Sequence, residues 1–393
     1  MTTWIDAETL RDKIDADEDF VLFDTRAPED YEGWHIGGAK NVEYSGSDDE
    51  LVGDFEQYRE EAEAADEIAV TCATGASAEQ FGQWLESDGF ENVSIVDGGM
   101  EAWSMVYDVV PVSTSNDDLV LLQLQRRSKG CLGYVVGSKE AGEAALVDVT
   151  RATDRFLDAA RERGLKVTHV FDTHIHADHI SAGRRVADRL GVPYHLGAPA
   201  ATRDPQFEFD PVEPNDVVSL GDVEIKAVHT PGHTTGMTSY LVDDEALLTG
   251  DTLFVESIGR TELQFADEDA RDGARVQYET LHKVIMSLPN SVKVLPGHFS
   301  VTDDGEYIDV TPGAPMFSTV GYVWNNNAIL RMDEDDFVEH MFDNLPSKPP
   351  NYETVIATNA GEYTPADEDE ENELELGPNR CAATEESAVS ADD

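Results

Sequence analysis

The sequence feature that most restricts the fold is a cluster of metal-binding residue types directly after an apolar segment, in "VTHVFDTHIHADH" (167–179). The apolar part is typical of a buried strand. Imidazole nitrogens and carboxylate oxygens, which are ligands for zinc and iron, then follow closely. We therefore expect a sheet that holds metal at the end of this strand. The residues are His174, His176, Asp178 and His179.

Three later segments repeat this arrangement of an apolar strand followed by a metal-binding residue type. The segments are "VEIKAVHTPGH", "TSYLVDDEALLTGD" and "SVKVLPGH", which end on His233, Asp251 and His298. Loops at one edge of a sheet lie close together, and they carry functional residues more often than the strands do. All of these side chains are therefore expected to converge on one site.

Length and charge set the number of domains and exclude one class of partner. A chain of 393 residues is too long for one typical core and predicts two domains. The 81 acidic and 27 basic residues give a formal charge of −54, which repels nucleic acid and anionic membranes. Because salt screens such self-repulsion, the charge, together with the low lysine content, predicts a halophilic protein from a salt-rich cytoplasm.

Cysteine content and the N-terminal sequence also favour a cytoplasmic location. Cys72, Cys131 and Cys381 are too few for a disulfide framework and leave at least one free thiol, which predicts a reducing compartment. The first residues, "MTTWIDAETLRDKI", do not form a basic start with an apolar run. No segment approaches 18 apolar residues, so no membrane span is expected.

The pattern along the chain divides it into two α/β parts. Residues 1–112 alternate short apolar runs with amphipathic helices, which predicts a parallel sheet with flanking helices. The polar stretch "STSND" (113–117) is interpreted as a linker, and a second domain is predicted over 118–382. The acidic stretch 361–376 is interpreted as a solvated insertion, and 383–393 as a disordered acidic tail.

The order His-x-His-x-Asp-His, then His, Asp and His, resembles the metallo-β-lactamase superfamily over about 118–382. The resemblance implies an αββα sandwich with a metal site at the edge of two sheets. Two branches remain open. A binuclear zinc hydrolase of the glyoxalase II type uses all seven residues: His174, His176 and His233 on one ion, Asp178, His179 and His298 on the other, and Asp251 as the bridge.

A persulfide dioxygenase instead holds one Fe(II) per chain with two histidines and a carboxylate. Carried onto this sequence, that triad is His174, His233 and Asp251. Three open positions on the iron could then take dioxygen and a thiol-bearing substrate. In this branch the other four residues orient the triad: His176, Asp178, His179 and His298.

Sequence outside the metal motif favours the dioxygenase branch. "GRTELQ", which follows Asp251, resembles the Gly-Arg-Thr segment of that family, and Arg260 is assigned to binding a substrate carboxylate or to organising the site. "NLPSKPP" and the ending "PNRC", with Cys381, resemble its terminal region. The sequence departs from both branches after His298, where Phe299 and Ser300 replace an acidic residue and a tyrosine.

The N-terminal part resembles the rhodanese family in "FDTRAPEDYEGWHIGGAKNV", "TCATGAS" and "VDGGMEAW". The resemblance implies that Cys72 carries sulfane sulfur as a persulfide. A cysteine that follows a strand and begins a helix also gains from the helix N-terminal N–H groups, which stabilise a thiolate and bind anions. The alternative is an inactive rhodanese-like binding module. The predicted anion cradle consists of Ala73, Thr74, Gly75, Ala76 and Ser77.

Together the two resemblances imply an iron-dependent persulfide dioxygenase that oxidises a low-molecular-weight thiol persulfide with dioxygen to sulfite and thiol. Sulfurtransferase chemistry at Cys72, with sulfite or thiosulfate, is coupled to it in this interpretation. The first alternative is a thioester hydrolase of the hydroxyacylglutathione hydrolase type with two zinc ions. The second is a sulfur-relay or scaffold protein with an inactive rhodanese module. A homodimer is compatible with the sequence.

The charge leads to a prediction about salt. Diluting the protein from molar to low KCl lengthens the screening distance from about 3 Å at 1 M to about 10 Å at 0.1 M. We therefore expect unfolding on dilution, measured by near-ultraviolet circular dichroism. Replacing the salt with sucrose at matched osmolality is the control, since sucrose does not screen charge. A native spectrum retained at low KCl would contradict the prediction.

Overall fold

The computed structural model describes most of the chain: residues 2–44, 55–264, 270–308, 310–343 and 348–377, with the backbone of 382–383. Cys381, the predicted tail from 384 onward and the "NLPS" part of the terminal motif lie outside the described residues. Within the described part, no helix combines the length and the apolarity that a membrane crossing needs.

The N-terminal half forms a five-stranded sheet in which every pair of neighbours is parallel, in the order β1-β5-β4-β2-β3. Alternate side chains of a strand point to opposite faces, so Phe23 and Leu22 enter two different cores. The predicted parallel sheet with flanking helices is confirmed. Its strands are β1 Thr3–Ile5, β2 Phe20–Asp24, β3 Lys40–Asn41, β4 Glu67–Thr71 and β5 Val93–Val96. Its helices are α1 Ala7–Asp15, α2 Pro28–Gly33, α3 Arg59–Ala64, α4 Ala76–Ser87 and α5 Gly99–Trp103.

The second half contains a seven-stranded and a six-stranded sheet, both mixed. The strands of the seven-stranded sheet lie side by side in the order β12-β11-β10-β9-β8-β7-β6. Its strands are β6 Tyr107–Pro111, β7 Leu119–Arg126, β8 Leu132–Ser138, β9 Glu143–Val147, β10 Lys166–Phe171, β11 Tyr194–Gly197 and β12 Asp210–Val212. The second comprises β13 Val217–Leu220, β14 Val223–His229, β15 Thr238–Val242, β16 Ala246–Gly250, β18 Lys293–Pro296 and β19 Ser318–Thr319. A separate pair joins β17 Ile258–Gly259 to β20 Ala382–Ala383.

Helices cover the outer faces of these two sheets. Leu122 of the seven-stranded sheet shares a core with Phe156 of α6. The preceding residue, Leu121, points to the opposite face of the sheet and shares a core with Tyr240 of the six-stranded sheet. The other face of the six-stranded sheet packs against α8 and α10 through a core that includes Leu247. These layers are the predicted αββα sandwich. The helices are α6 Thr153–Glu162, α7 Gly183–Leu190, α8 Ala270–Lys283, α9 Val320–Asn326, α10 Glu334–Asp343, α11 Tyr352–Asn359 and α12 Glu368–Glu375.

The stretch predicted as the linker joins two strands of one sheet. Tyr107–Pro111 lies before residues 113–117 but pairs antiparallel with Leu119–Arg126 after them. The strand therefore belongs to the seven-stranded sheet although it precedes the predicted boundary. The sequence pattern missed this because a short edge strand of alternating character resembles the strands of the preceding domain.

The two halves also meet at the loop that follows His298. The backbone N–H of His35 donates a hydrogen bond to the carbonyl oxygen of Asp303 at 3.0 Å. Elsewhere in the contact, the buried Arg127 guanidinium donates to Asp15 at 2.6 Å and to Asp108 at 2.6 Å. Phe299, which replaces the acidic residue of the related families, is buried in the core between the two sheets.

The acidic stretch 361–376 is not solvated throughout. Most of its side chains are exposed or half buried, as expected, but Glu375 at the end of α12 is buried. Its carboxylate accepts hydrogen bonds from Arg126 at 2.9 Å and Arg151 at 2.8 Å. Burial opposes ionisation, yet these arginines lower the pKa of Glu375 to about 2. A carboxylate buried without partners would be costly, so the arginines are needed for this end of the segment to pack inside.

We predict that Glu375→Gln lowers the free energy of unfolding by about 3 kcal/mol at neutral pH, because two buried arginines lose their counter-charge. The folded-state pKa lies below the ordinary 4.5, so the stability from ionised Glu375 is complete above that pH and is lost as the pH falls toward 2. Urea unfolding in high salt should therefore show that the difference in free energy of unfolding between wild type and variant becomes smaller as the pH falls through this range. Glu373→Gln, at an exposed position of the same helix, is the control. A difference that does not change with pH would contradict the assignment.

Candidate metal centre

The seven predicted metal-site residues lie at the ends of four strands and are buried. The His174–His179 segment follows β10, His233 follows β14, Asp251 follows β16 and His298 follows β18. None of the seven is more than 5% exposed. Neighbouring loops at the edge of the two sheets therefore bring together residues that are separated by more than a hundred positions.

Two glycines allow the chain to approach Asp251 closely. A Cβ atom at Gly259 would lie 1.8 Å from the carbonyl oxygen of Asp251, and one at Gly297 would lie 2.5 Å from its Oδ1. Real Cβ atoms do not approach so closely, so only glycine fits at either position. The glycine of "GRT" is therefore needed for packing against the backbone of Asp251, and the glycine of "PGH" for packing against its carboxylate.

The structure places His174, His233 and Asp251 around one point. Asp251 Oδ2 lies 3.9 Å from His174 Nε2 and 3.7 Å from His233 Nε2. One ligand atom from each residue lies within 4.8 Å of the other two. Two imidazoles and one carboxylate in this arrangement are the donor set of non-haem Fe(II) sites.

Each member of this triad is oriented by a hydrogen bond through its other polar atom. His174 Nδ1 lies 3.0 Å from Thr173 Oγ1, and His233 Nδ1 donates to the carbonyl oxygen of Arg260 at 2.6 Å. His298 Nδ1 donates to Asp251 Oδ1 at 2.7 Å. These contacts leave both Nε2 atoms and one carboxylate oxygen directed toward the common point. Such outer contacts fix the tautomer and the direction of a metal ligand.

The electrostatics of the triad suit metal binding. Burial lowers the pKa of His174 well below its usual value, and the neighbouring His176 and His233 lower it further. Burial likewise lowers the pKa of His233. Burial alone would raise the pKa of Asp251, but His298 and His233 together lower it below its usual value. Neutral imidazoles and an ionised carboxylate are the protonation states in which these groups bind a cation.

Several buried polar atoms of the centre have no hydrogen-bond partner in the part of the chain that the structure describes. A buried polar atom without a partner is costly, and a bound cation would satisfy lone pairs that no donor reaches. These residues therefore fit a metal ion. The atoms are His174 Nε2, His176 Nδ1 and Nε2, Asp178 Oδ1, His179 Nε2 and Asp251 Oδ2.

A second group of donors lies beside the triad. Asp178 Oδ2 is 3.1 Å from His179 Nδ1, 2.9 Å from His298 Nε2 and 3.5 Å from Cys131 Sγ. Cys131 was not among the predicted site residues. Its position directly before strand β8 could have drawn attention to it, because metal-site residues cluster at strand ends here.

A third group accounts for His176. Its Nε2 lies 3.3 Å from Asp148 Oδ1, and Asp172 completes the group. Burial raises the pKa of Asp172 to about 6. The two aspartates were not predicted, although each follows an apolar strand and could have been found by the rule that located the other residues. His176 thus lies close to the buried carboxylate of Asp148.

The Arg260 side chain forms a buried ion pair with Glu262. Its backbone carbonyl meanwhile accepts the hydrogen bond from His233. Both contacts act on the architecture of the site. They favour site organisation, one of the two roles proposed from the sequence, over direct binding of a substrate carboxylate.

The metal-binding loop is held by residues from the far end of the chain. The side-chain amide of Asn359 donates to the carbonyl oxygens of His176 at 2.9 Å and His179 at 2.7 Å, and its oxygen accepts from the N–H of Ser181 at 2.9 Å. Glu375 Oε1 accepts from the N–H of Ile180 at 2.5 Å. These contacts span about 180 residues, so sequence spacing gave no indication of them.

The cysteine loop of the N-terminal half has the predicted setting. Cys72 directly follows β4, and its loop leads into α4 through Gly75, which has a φ of 100°. The N–H of Gly75 donates to Cys72 Sγ at 3.0 Å. Cys72 itself is buried, whereas Ala73, Thr74 and Ala76 are exposed. A sulfur on Cys72 would therefore be close to solvent and to the backbone N–H groups of the loop.

An αββα sandwich with buried histidines and aspartates at its strand ends defines a metal-binding protein of the metallo-β-lactamase fold. The Rhodanese-like domain model matches residues 6–105, and the Metallo-beta-lactamase superfamily model matches residues 129–298. The chain therefore belongs to the metallo-beta-lactamase superfamily and carries a rhodanese-like domain at its N-terminal end.

Its relatives include members of both branches. The chain is 28% identical to the mitochondrial persulfide dioxygenase ETHE1 of Bos taurus over 244 aligned residues. These residues are 61% of this chain and 87% of that relative. The crystal structure of ETHE1 from Myxococcus xanthus is 27% identical, with a TM-score of 0.51, and covers 62% of this chain and 99% of that one. A hydroxyacylglutathione hydrolase of Rhizobium etli is 32% identical over 167 residues, which are 42% of this chain and 61% of the hydrolase.

The Asn359 contacts generate a prediction about metal retention. Asn359→Ala removes three hydrogen bonds from the loop that carries His174 to His179, so we expect metal affinity to fall about ten- to a hundredfold. Metal content after dialysis against graded chelator concentrations measures the change. Asn326→Ala, at an exposed position of α9, is the matched control. Equal metal retention in both variants would contradict the proposed role.

Proposed function

We propose that the second domain is an Fe(II)-dependent persulfide dioxygenase that uses His174, His233 and Asp251. The observation that carries the proposal is that two Nε2 atoms and one carboxylate oxygen form a group apart from the other donors. A contact at the other polar atom of each side chain fixes the direction of these three donors. These are also the three residues that the sequence resemblance to the persulfide dioxygenases assigns to the iron. Sequence similarity to ETHE1 over most of that protein's length supports the same branch.

The position of His176 favours one metal in the triad over the hydrolase arrangement. A binuclear hydrolase requires His176 to share an ion with His174 and His233. Here His176 Nε2 lies 3.3 Å from Asp148 Oδ1 and groups with two aspartates. We therefore assign three protein donors to the iron, a set that would match a facial triad with open positions.

The proposed reaction converts a thiol persulfide, dioxygen and water into the thiol and sulfurous acid, which ionises to sulfite. The S–S bond breaks, the terminal sulfur loses four electrons and dioxygen gains them. A bound Fe(II) supplies the open coordination positions at which dioxygen and the sulfur substrate react. The protein's part is to fix the donors. Thr173, the Arg260 carbonyl and His298 hold the three ligands, while burial of the centre restricts water around them.

We further propose that Cys72 carries sulfur for this chemistry. Attack of sulfite on a Cys72 persulfide would release thiosulfate and leave the Cys72 thiolate, so that the terminal sulfur moves and no external oxidant is needed. The Gly75 N–H at 3.0 Å from Sγ would stabilise that thiolate. The loop lacks an arginine within residues 73–76, so any anion would depend on backbone N–H groups. An inactive rhodanese module is the alternative.

Anaerobic purification with metal analysis, followed by oxygen uptake on a thiol persulfide, tests the function. We expect one iron per chain and persulfide-dependent uptake, which His174→Ala reduces at least a hundredfold. Cys72→Ser should keep oxygen uptake but lose sulfur transfer to sulfite, measured as thiosulfate. Two zinc ions together with thioester cleavage would support the hydrolase instead. Unchanged thiosulfate formation in Cys72→Ser would remove Cys72 from the mechanism.

A further inference from the structure

We propose that Arg203 forms a subsite that binds a carboxylate of the thiol substrate beside the metal centre. The substrate is then an acidic thiol persulfide, which carries a carboxylate in addition to its sulfur. This inference rests on the persulfide dioxygenase function proposed above. Arg260, which the sequence suggested for such a carboxylate, is already paired with Glu262. A substrate carboxylate therefore needs another cation.

The Arg203 side chain is half-buried and lacks a counter-ion. It forms no hydrogen bond or ion pair within the part of the chain that the structure describes. Burial lowers the pKa of Arg203, and the exposed Glu362 only partly opposes this effect. Removing a cation from water is costly unless a partner replaces the water, and this chain has 81 acidic residues that could have supplied one. The guanidinium is therefore available to an anion from outside.

The helix that ends at Arg203 packs against the loop after the ligand His233. This 3₁₀ helix spans Ala198–Arg203. Thr202 Oγ1 lies 3.4 Å from the Oγ1 atom of Thr235, two residues beyond that ligand. The N–H of Thr235 in turn donates to the side-chain oxygen of Gln264, in "GRTELQ", at 2.9 Å. Arg203 thus adjoins two of the segments that enter the metal centre.

The chain that follows Arg203 contacts the segment that holds the metal-binding loop. The N–H of Gln206 donates to the carbonyl oxygen of Ala360 at 2.7 Å. Ala360 directly follows Asn359, whose side chain holds that loop through three hydrogen bonds. The residues before and after Arg203 are therefore attached to different loops of the centre. This arrangement holds the unpaired guanidinium between them.

A second polar group without a partner directly follows His233. Thr234 is 5% exposed, and its Oγ1 is buried without a hydrogen-bond partner among the described residues. A hydroxyl can donate one hydrogen bond and accept others, and leaving it unpaired in the interior is costly. A substrate with a carboxylate and a further polar group would offer partners to both Arg203 and Thr234.

The chemistry of a guanidinium makes the subsite selective for charge. Its planar fork can donate two parallel, charge-assisted hydrogen bonds to one carboxylate. An amide of the same shape has no charge and presents donors where the carboxylate has an acceptor. Hydrogen bonds to charged groups are strong enough for a preference of about ten- to a hundredfold. Because salt screens a half-buried pair less than an exposed one, the preference should persist in concentrated KCl.

Two matched substrates test the subsite: the persulfides of N-acetylcysteine and of N-acetylcysteine amide, which differ in the carboxylate alone. Oxygen uptake by iron-loaded, full-length protein gives kcat/KM for each at one KCl concentration. We expect the wild type to favour the acid about tenfold or more, mainly through KM. In Arg203→Gln the ratio of the two kcat/KM values should fall to about one, and in Arg203→Lys it should be intermediate, because charge remains but the fork is lost.

The ratio does not depend on how much of a variant is folded or loaded with iron, because one preparation serves both substrates. Arg163→Gln, at an exposed arginine directly after α6, is the control and should keep the wild-type ratio. A wild-type ratio near one, or an unchanged ratio in Arg203→Gln, would overturn the proposal.

Binding of the thiols themselves separates this subsite from the proposed reaction. Anaerobic calorimetry with N-acetylcysteine and its amide needs no turnover. We expect the wild type to bind the acid about tenfold more tightly than the amide, and Arg203→Gln to bind the two equally. Absence of oxygen uptake with either persulfide would refute the reaction, while the binding comparison would still report on Arg203. Equal binding of acid and amide by the wild type would refute the subsite, whatever the oxygen uptake.

Discussion

Polar groups can be buried together only if each finds a partner, and this constraint governs the centre of the protein. Seven histidine and aspartate side chains lie at the strand ends with almost no exposure. Each triad residue satisfies one polar atom with a neighbour and leaves the other for a cation. The same requirement explains the contacts that hold the loops around these side chains. Asn359 and Glu375 saturate backbone groups of the metal-binding loop that the sheets cannot reach.

Sequence pattern predicted the fold well because strand periodicity is local. The apolar runs that end at His174, His233, Asp251 and His298 form strands of two sheets, and the parallel sheet of the N-terminal half is also as expected. The pattern could not divide the seven residues into groups, since a side chain's partner depends on packing across the two sheets. It therefore did not show that His176 would contact Asp148 while His174 joined His233.

The features that the sequence did not predict share one physical origin, which is contact between distant parts of the chain. Glu375 looked like one more solvated carboxylate, but two arginines from strand β7 and the loop before α6 draw it inside. Cys131 had no predicted role at the site, and it lies there because its backbone pairs with that of His298. In a protein with 81 acidic residues, composition alone cannot indicate which few carboxylates are internal.

The strand Tyr107–Pro111 also bears on how two such domains can be recombined. A crossover within residues 113–117, where composition changes, would carry this strand away with the N-terminal half. The hydrogen-bonding edge of Leu119–Arg126 would then be open, and an exposed edge invites pairing with another chain. Exchange of the rhodanese module between relatives is therefore expected to succeed only when the crossover lies before residue 107. The contact between His35 and Asp303 would also have to be preserved or replaced by the incoming module.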